Sequence, residues 1–170
     1  MNLADYIRDI PDFPKPGIVF KDITPLLKEP AAFTYSVDVL SEFAEGKGVT
    51  AVAGIESRGF IFGALVAQQL GAAFIPIRKP GKLPAETISA SYSLEYGTDT
   101  IEMHRDALDS SDRVLIVDDL LATGGTMAAA VSLVENAGAV VAGIAFVIEL
   151  SFLHGREKLA GYDIASILTF

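Results

Sequence analysis

Residues 114–126 read VLIVDDLLATGGT. An aliphatic run of strand character, RVLIV at 113–117, meets two adjacent aspartates, and Thr-Gly-Gly-Thr follows within a few residues. Adjacent carboxylates repel each other, and two glycines cost backbone entropy on folding. A stretch that carries both serves something other than its own stability. Open parallel sheets bind ligands beyond the carboxyl ends of their strands, and Asp118 and Asp119 stand at that end of strand 113–117. Thr123–Thr126 then lies where the chain turns into the next helix. Glycines there let consecutive backbone N–H groups converge on an anion, the helix N-terminus adds partial positive charge, and the hydroxyls of Thr123 and Thr126 add donors. Such a loop is built to hold a phosphate monoester. The aspartates would repel that phosphate, so vicinal hydroxyls of a ribose, or a Mg²⁺ shared with them, suit them better. Acids for a sugar beside an amide cradle for its phosphate describe a ribose 5-phosphate site.

Outward from this stretch, helical and strand patterns alternate. Residues 31–45 place Phe33, Val37, Leu40 and Ala44 on one helical face, and VTAVAGI at 49–55 reads as a buried strand. A helix is expected over 59–70 with Gly71 as its stop, and a strand over 72–77. Residues 126–137 form the next helix, with Met127, Val131 and Val134 on one face, and 139–150 is the longest strand candidate. Strands apolar on both faces and separated by helices predict an α/β fold, a mostly parallel sheet flanked by helices. Two regions break the rhythm. The N-terminal segment is one. The other is RKPGKLPAETI at 78–88, a polar loop, followed by 89–104, which alternates on either side of Gly97 as two strands joined by a turn. A long loop with a hairpin in a compact domain is usually functional, and a lid is the expected role.

The totals bound the function. At 170 residues and 51% apolar, the chain fits one domain with a real core. It has no cysteine, which excludes disulfides, thiolate zinc sites and a cysteine nucleophile. Its two histidines, His104 and His154, stand far apart and do not suggest a transition-metal site. A net charge of −9 disfavours binding to nucleic acid, which works by neutralising phosphates. No signal-peptide core and no apolar run of membrane-spanning length occur, so no membrane partner and a cytoplasmic location are expected. GxxxxGK[ST] and GxGxxG are both missing. Alone, the 114–126 string still admits magnesium ligands of a nucleotidase, or a Gly-Gly that merely opens a helix.

The whole run resembles the phosphoribosyl diphosphate (PRPP) signature of the type I phosphoribosyltransferase family, and the chain is similar throughout to its adenine-using members. Four further stretches carry the resemblance in order: DFPKPGIVFKDITPLL at 12–27, GIESRGFIFG at 54–63, IRKPGKLP at 77–84 and SYSLEYG at 91–97. The resemblance implies transfer of the 5-phosphoribosyl group from PRPP to adenine, giving AMP and pyrophosphate, with Mg²⁺, in a homodimer serving purine salvage. It implies a single domain with a small N-terminal hood over 1–30 and a flexible lid over about 78–104. Ala122, Thr123, Gly124, Gly125 and Thr126 would hold the 5-phosphate, with Asp118 and Asp119 facing the ribose. Ser57 and Arg58 would belong to the pyrophosphate loop, with a cis peptide at Glu56–Ser57. Arg78, Lys79 and Lys82, three of the thirteen Lys and Arg, would form a positive patch for pyrophosphate, some of them acting across the dimer. Mg²⁺ would be held mainly by PRPP, with Asp118 or Asp119 reaching it through water.

For the base, the resemblance implies that the C=O of Val19 and the N–H of Lys21 read the amino and ring-nitrogen edge of adenine. In extended chain those two groups point the same way. Phe20 would stack on one side of the base and Leu150 on the other. A purine with a 6-carbonyl and a protonated N1 would oppose both backbone groups. Glu95 is expected to take or share the purine proton and Tyr96 to help close the lid over PRPP and exclude water, while Arg58, with Mg²⁺ and the basic loop, stabilises the diphosphate leaving through an oxocarbenium-like state. The alternatives are another purine phosphoribosyltransferase, using xanthine or guanine, and a non-catalytic PRPP or purine sensor on the same fold.

Overall fold

The chain divides into two compact units, Met1–Val39 and Leu40–Phe170, and the computed structural model describes every residue from Met1 to Phe170. In the first unit, a 3-10 turn at Leu3–Tyr6 leads into strands β1 (Arg8–Pro11) and β2 (Val19–Asp22). They pair antiparallel, with Ile10 opposite Phe20. Strands this short cannot display a period, which is why hydropathy gave no sign of the pair. Charge tracks it better: Arg8 meets Asp22 at 2.6 Å and Lys21 meets Asp9 at 2.7 Å. The connection turns at Asp12, whose carboxylate accepts the Gly17 N–H at 2.8 Å, and the Phe13–Pro14 peptide is cis. Helix α1 (Thr24–Lys28) has Pro25 in its first turn, where a missing N–H costs nothing. Helix α2 (Pro30–Ala44) crosses the division between the units and buries Val37, Leu40 and Ala44, as the sequence spacing expects.

The second unit continues with β3 (Ala51–Ile55), α3 (Arg58–Leu70), β4 (Ala73–Ile77), β5 (Thr87–Ser93), β6 (Thr98–His104), β7 (Arg113–Leu121), α4 (Gly125–Asn136), β8 (Val140–Glu149) and β9 (Ile164–Thr169). Five strands form an all-parallel sheet in the order β4-β3-β7-β8-β9. Its centre is dry: Val114–Val117 of β7 and Ile144–Val147 of β8 are fully buried. Burial on both faces explains why these strands read as continuous apolar runs, and each large side chain contributes roughly 1.5–3 kcal/mol.

Strand β7 corrects the expected end at residue 117. It continues through both aspartates to Leu121. The ladder with β3 stops at Gly54 opposite Val117, but β8 pairs onward to Glu149 opposite Leu121. Backbone bonding on one side therefore carries the strand past the point where hydropathy ends. The C-terminal strand β9 and the 3-10 turns at Ser151–Leu153 and Gly155–Leu159 had no counterpart in the sequence reading. Strands β5 and β6 form the expected hairpin around Gly97. Its inner face belongs to the core, with Ile101 and Met103 fully buried and Ile88, Ala90 and Tyr92 packed beside them. The outer face is open to solvent at Ser89, Ser91 and Ser93, and so is the tip, where Tyr96 is 87% exposed.

Candidate active site

Strand order reverses between β3 and β7: the chain leaves β3 for β4 on one side and returns as β7 on the other. Such a reversal opens a crevice at the carboxyl ends of the two strands. Glu56–Arg58 emerges from β3 into that end, and Asp118–Thr126 from β7.

A cleft of about 80 Å³ is lined by Asp118 and by Leu120–Met127. Helix α4 starts at its edge, and no side chain caps the N-terminal turn, so its first N–H groups are not taken by a cap. Gly124 is needed here twice over. Its φ is +84°, and a Cβ would stand 2.5 Å from the carbonyl oxygen of Gly155. Conversely, a Cβ on Gly155 would stand 2.5 Å from the carbonyl oxygen of Ala122. The loop is pressed, backbone on backbone, against the turn at Gly155–Leu159.

The two aspartates are not equivalent. Alternation along β7 turns Asp118 to the cleft, while Asp119 is buried and its Oδ2 meets Nε of Arg58 at 2.9 Å. Helix α3 comes so close that a Cβ on Gly59 would lie 2.8 Å from Oδ1 of Asp118. Burial, followed by the neighbouring charge of Asp119, pushes the Asp118 carboxyl well above the usual range. Burial raises the Asp119 carboxyl as well, with the Arg58 guanidinium opposing the shift.

Glu56, next to the cis Glu56–Ser57 peptide, organises the basic loop. Its carboxylate accepts the Lys79 backbone N–H at 2.6 Å and faces Lys82 at 3.4 Å and Arg78 at 3.5 Å. Burial alone would raise the Glu56 carboxyl, but the Lys79 N–H and the charges of Lys82 and Arg78 outweigh it and hold the group below the usual range. The Lys79 ammonium pairs with Asp99 of β6 and donates to the Tyr92 hydroxyl at 3.2 Å. Each cation of the expected patch thus faces a carboxylate of its own chain.

Glu95 and Tyr96 sit on the exposed hairpin tip. Leu150 is half-buried, and its N–H donates to the Leu121 carbonyl at 2.9 Å. In the first unit, Val19 is exposed, and Phe20 meets the Phe13 ring edge-on at 5.2 Å between centroids.

With this geometry in view, comparison with known proteins is decisive. Residues 31–164 match the phosphoribosyl transferase domain model. An adenine phosphoribosyltransferase of Roseiflexus sp. (strain RS-1) is 60% identical over 99% of this chain and 98% of its own. The chain belongs to the adenine phosphoribosyltransferase family. The crystal structure of the adenine phosphoribosyltransferase of Thermoanaerobacter pseudethanolicus superimposes with a TM-score of 0.96, at 56% identity, covering 99% of this chain and 98% of that one. The Saccharomyces cerevisiae adenine phosphoribosyltransferase, crystallised with an imino-altritol bisphosphate and adenine, matches at a TM-score of 0.92 and 40% identity, over 98% of this chain and 96% of that one. The family's type I fold is thus the α/β arrangement that the sequence led us to expect.

Several residues that support the cleft and the basic loop have no mark in the sequence taken by itself. Glu56 stands inside the quoted stretch GIESRGFIFG, yet nothing local marks it as the counter-ion of a loop more than twenty residues downstream. Asp99, Tyr92, Gly155, Arg156 and Glu149 likewise gain their roles only through pairing across elements. No group of three or more His, Cys, Asp or Glu gathers as a metal cage, and no helix is long and apolar enough to cross a membrane.

Proposed function

We propose that this chain transfers the 5-phosphoribosyl group of PRPP to adenine, forming AMP and pyrophosphate in purine salvage, as a cytoplasmic homodimer. The observation that carries the reading is the uncapped start of α4 above the cleft at Asp118 and Leu120–Met127, on a chain whose full-length relatives bear the name of this enzyme. Ala122–Thr126 hold the 5-phosphate through backbone N–H groups and the Thr123 and Thr126 hydroxyls. Asp118 and Asp119 take the ribose hydroxyls. Their oxygens are hard donors, which suits an Mg²⁺ carried mostly by PRPP and touched through water by one of them. When bound, the ion supplies charge neutralisation at the diphosphate.

Arg58, Ser57 and the loop cations Arg78, Lys79 and Lys82 receive the pyrophosphate. To do so, Arg58 must share itself with Asp119, and Lys79 must leave Asp99. The C1′–O bond to the diphosphate breaks as adenine N9 bonds to C1′, and the N9 proton passes to Glu95. The tip carrying Glu95 and Tyr96 closes to bring that carboxylate in and shut water out. For the base, Val19 C=O and Lys21 N–H read the adenine edge, with Phe20 stacked on the ring.

The test is release of AMP from adenine and PRPP, with and without Mg²⁺. Turnover with adenine, at least about 10²-fold above hypoxanthine, guanine or xanthine, supports the reading. Equal or greater turnover with another purine overturns it.

A further inference from the structure

The turn that backs the phosphate loop is itself clamped by side chains remote from the cleft lining. Arg156 grips Glu149 with both arms of its fork: Nε donates to Oε1 at 2.8 Å, and Nη2 to Oε2 at 2.7 Å. The Ser166 hydroxyl donates to the same Oε2 at 2.7 Å. Glu149 is only 7% exposed, so its charge is removed from water and answered by the guanidinium and that hydroxyl. The Arg156 hydrogen bonds hold its carboxyl below the usual range, in keeping with a permanently ionised partner.

The surrounding backbone closes a ring. Glu149 stands opposite Leu121 at the end of the β7–β8 ladder, and the Leu150 N–H donates to the Leu121 carbonyl at 2.9 Å. From Leu121 the chain enters the phosphate loop. Gly155, next to Arg156, meets that loop from behind, with no room for a Cβ on either side: 2.5 Å to the Ala122 oxygen one way, 2.5 Å from Gly124 to the Gly155 oxygen the other. A contact this tight transmits position, because neither backbone has a flexible side chain that can yield.

We propose that Arg156 and Glu149 are positioning residues: their clasp holds Gly155 against the back of residues 122–124 and so aims the amides at the start of α4. Neither side chain lines the cleft. This rests on the reading that the loop takes the 5-phosphate, and it deepens that reading by naming what keeps the cradle in register. Arginine is required for its planar fork, since lysine keeps the charge but cannot make both bonds.

The test compares wild type with Arg156→Lys and Glu149→Gln. The expected result is a KM for PRPP raised about tenfold, a KM for adenine within about twofold of wild type, and a changed ³¹P resonance of bound AMP. A merely structural role would lower melting temperature and kcat without separating the two KM values. If both KM values and the ³¹P resonance stay at wild-type values, or both KM values rise together, the inference is overturned. Ser166→Ala removes one partner of Glu149 and a longer contact of Arg156 at 3.3 Å, but keeps the paired bonds between Arg156 and Glu149. It should move KM for PRPP in the same direction by about twofold, and an unchanged value counts against the clasp even if the other variants fold poorly. The underlying reading fails separately: wild-type protein would then leave the AMP phosphorus resonance unmoved on addition of nucleotide.

Discussion

The glycine loop at 121–126, which we propose takes the 5-phosphate, and the basic loop at 78–82 both stand at the carboxyl end of the sheet, yet they are built by opposite means. The first is fixed by backbone. It leaves a ladder that ends at Leu121, makes its turn at Gly124, and lies against Gly155 with no space between. The second is fixed by charge. Lys82 and Arg78 lean on Glu56, and Lys79 leans on Asp99. A group that must always sit in one place is suited to rigid amides, which need no reorganisation on binding. Cations that must let a leaving group in and out are suited to exchangeable partners. On the proposed function, the acids near the basic loop would keep its charges in place until a diphosphate displaces them, which reconciles a net charge of −9 with a polyanionic ligand.

The sharpest way to break this comparison is Gly124→Ala. The new Cβ meets the Gly155 carbonyl and requires a φ of +84°, so turnover should fall by about 10³-fold and stability by about 2 kcal/mol. A variant near wild type in a PRPP-dependent assay would show that the loop yields, and the rigid half of the contrast would be lost. Next in size is the hairpin tip. Glu95→Gln should lower kcat by about 10²-fold, with PRPP binding little changed, as expected of a proton acceptor away from the phosphate. Unaltered turnover would remove Glu95 from the reaction.

Acid unfolding sharpens the view of what supports the rigid loop. Arg156 hydrogen bonds hold the Glu149 carboxyl below its ordinary value. Its contribution is therefore complete above about pH 4.3, the unfolded value for glutamate, and is lost as pH falls through the folded value. The stability gap between wild type and Glu149→Gln, read by urea unfolding at several pH values, should shrink on acidification. A gap that stays constant with pH would contradict the ion pair. The smallest effect belongs to the exchangeable loop. Asp99→Asn frees Lys79, so pyrophosphate should inhibit about threefold more strongly, while stability changes by less than about 1 kcal/mol. Weaker inhibition would mean that Asp99 steadies Lys79 for the ligand instead of competing with it.

The sequence alone was enough to establish the α/β class, because strands buried on both faces must be apolar throughout and the helices between them must show one apolar stripe. It also singled out the stretch that lines the cleft, since Asp-Asp followed by Thr-Gly-Gly-Thr costs stability, but the string alone left its role open. Lys79 and Lys82 were legible as cations, though not as tethered ones. Tertiary structure decided the rest. Whether β7 ends at Val117 or Leu121 depended on β8 continuing beside it. That Asp118 turns to the cleft while Asp119 turns to Arg58 followed from that continuation. The counter-ions Glu56 and Asp99, and the Gly155–Arg156–Glu149 support, came from pairings between distant segments. A hydrophobic period is a property of neighbours along the chain and can be read there. An ion pair or a backbone contact across elements is a property of distance in space, which only the folded chain sets.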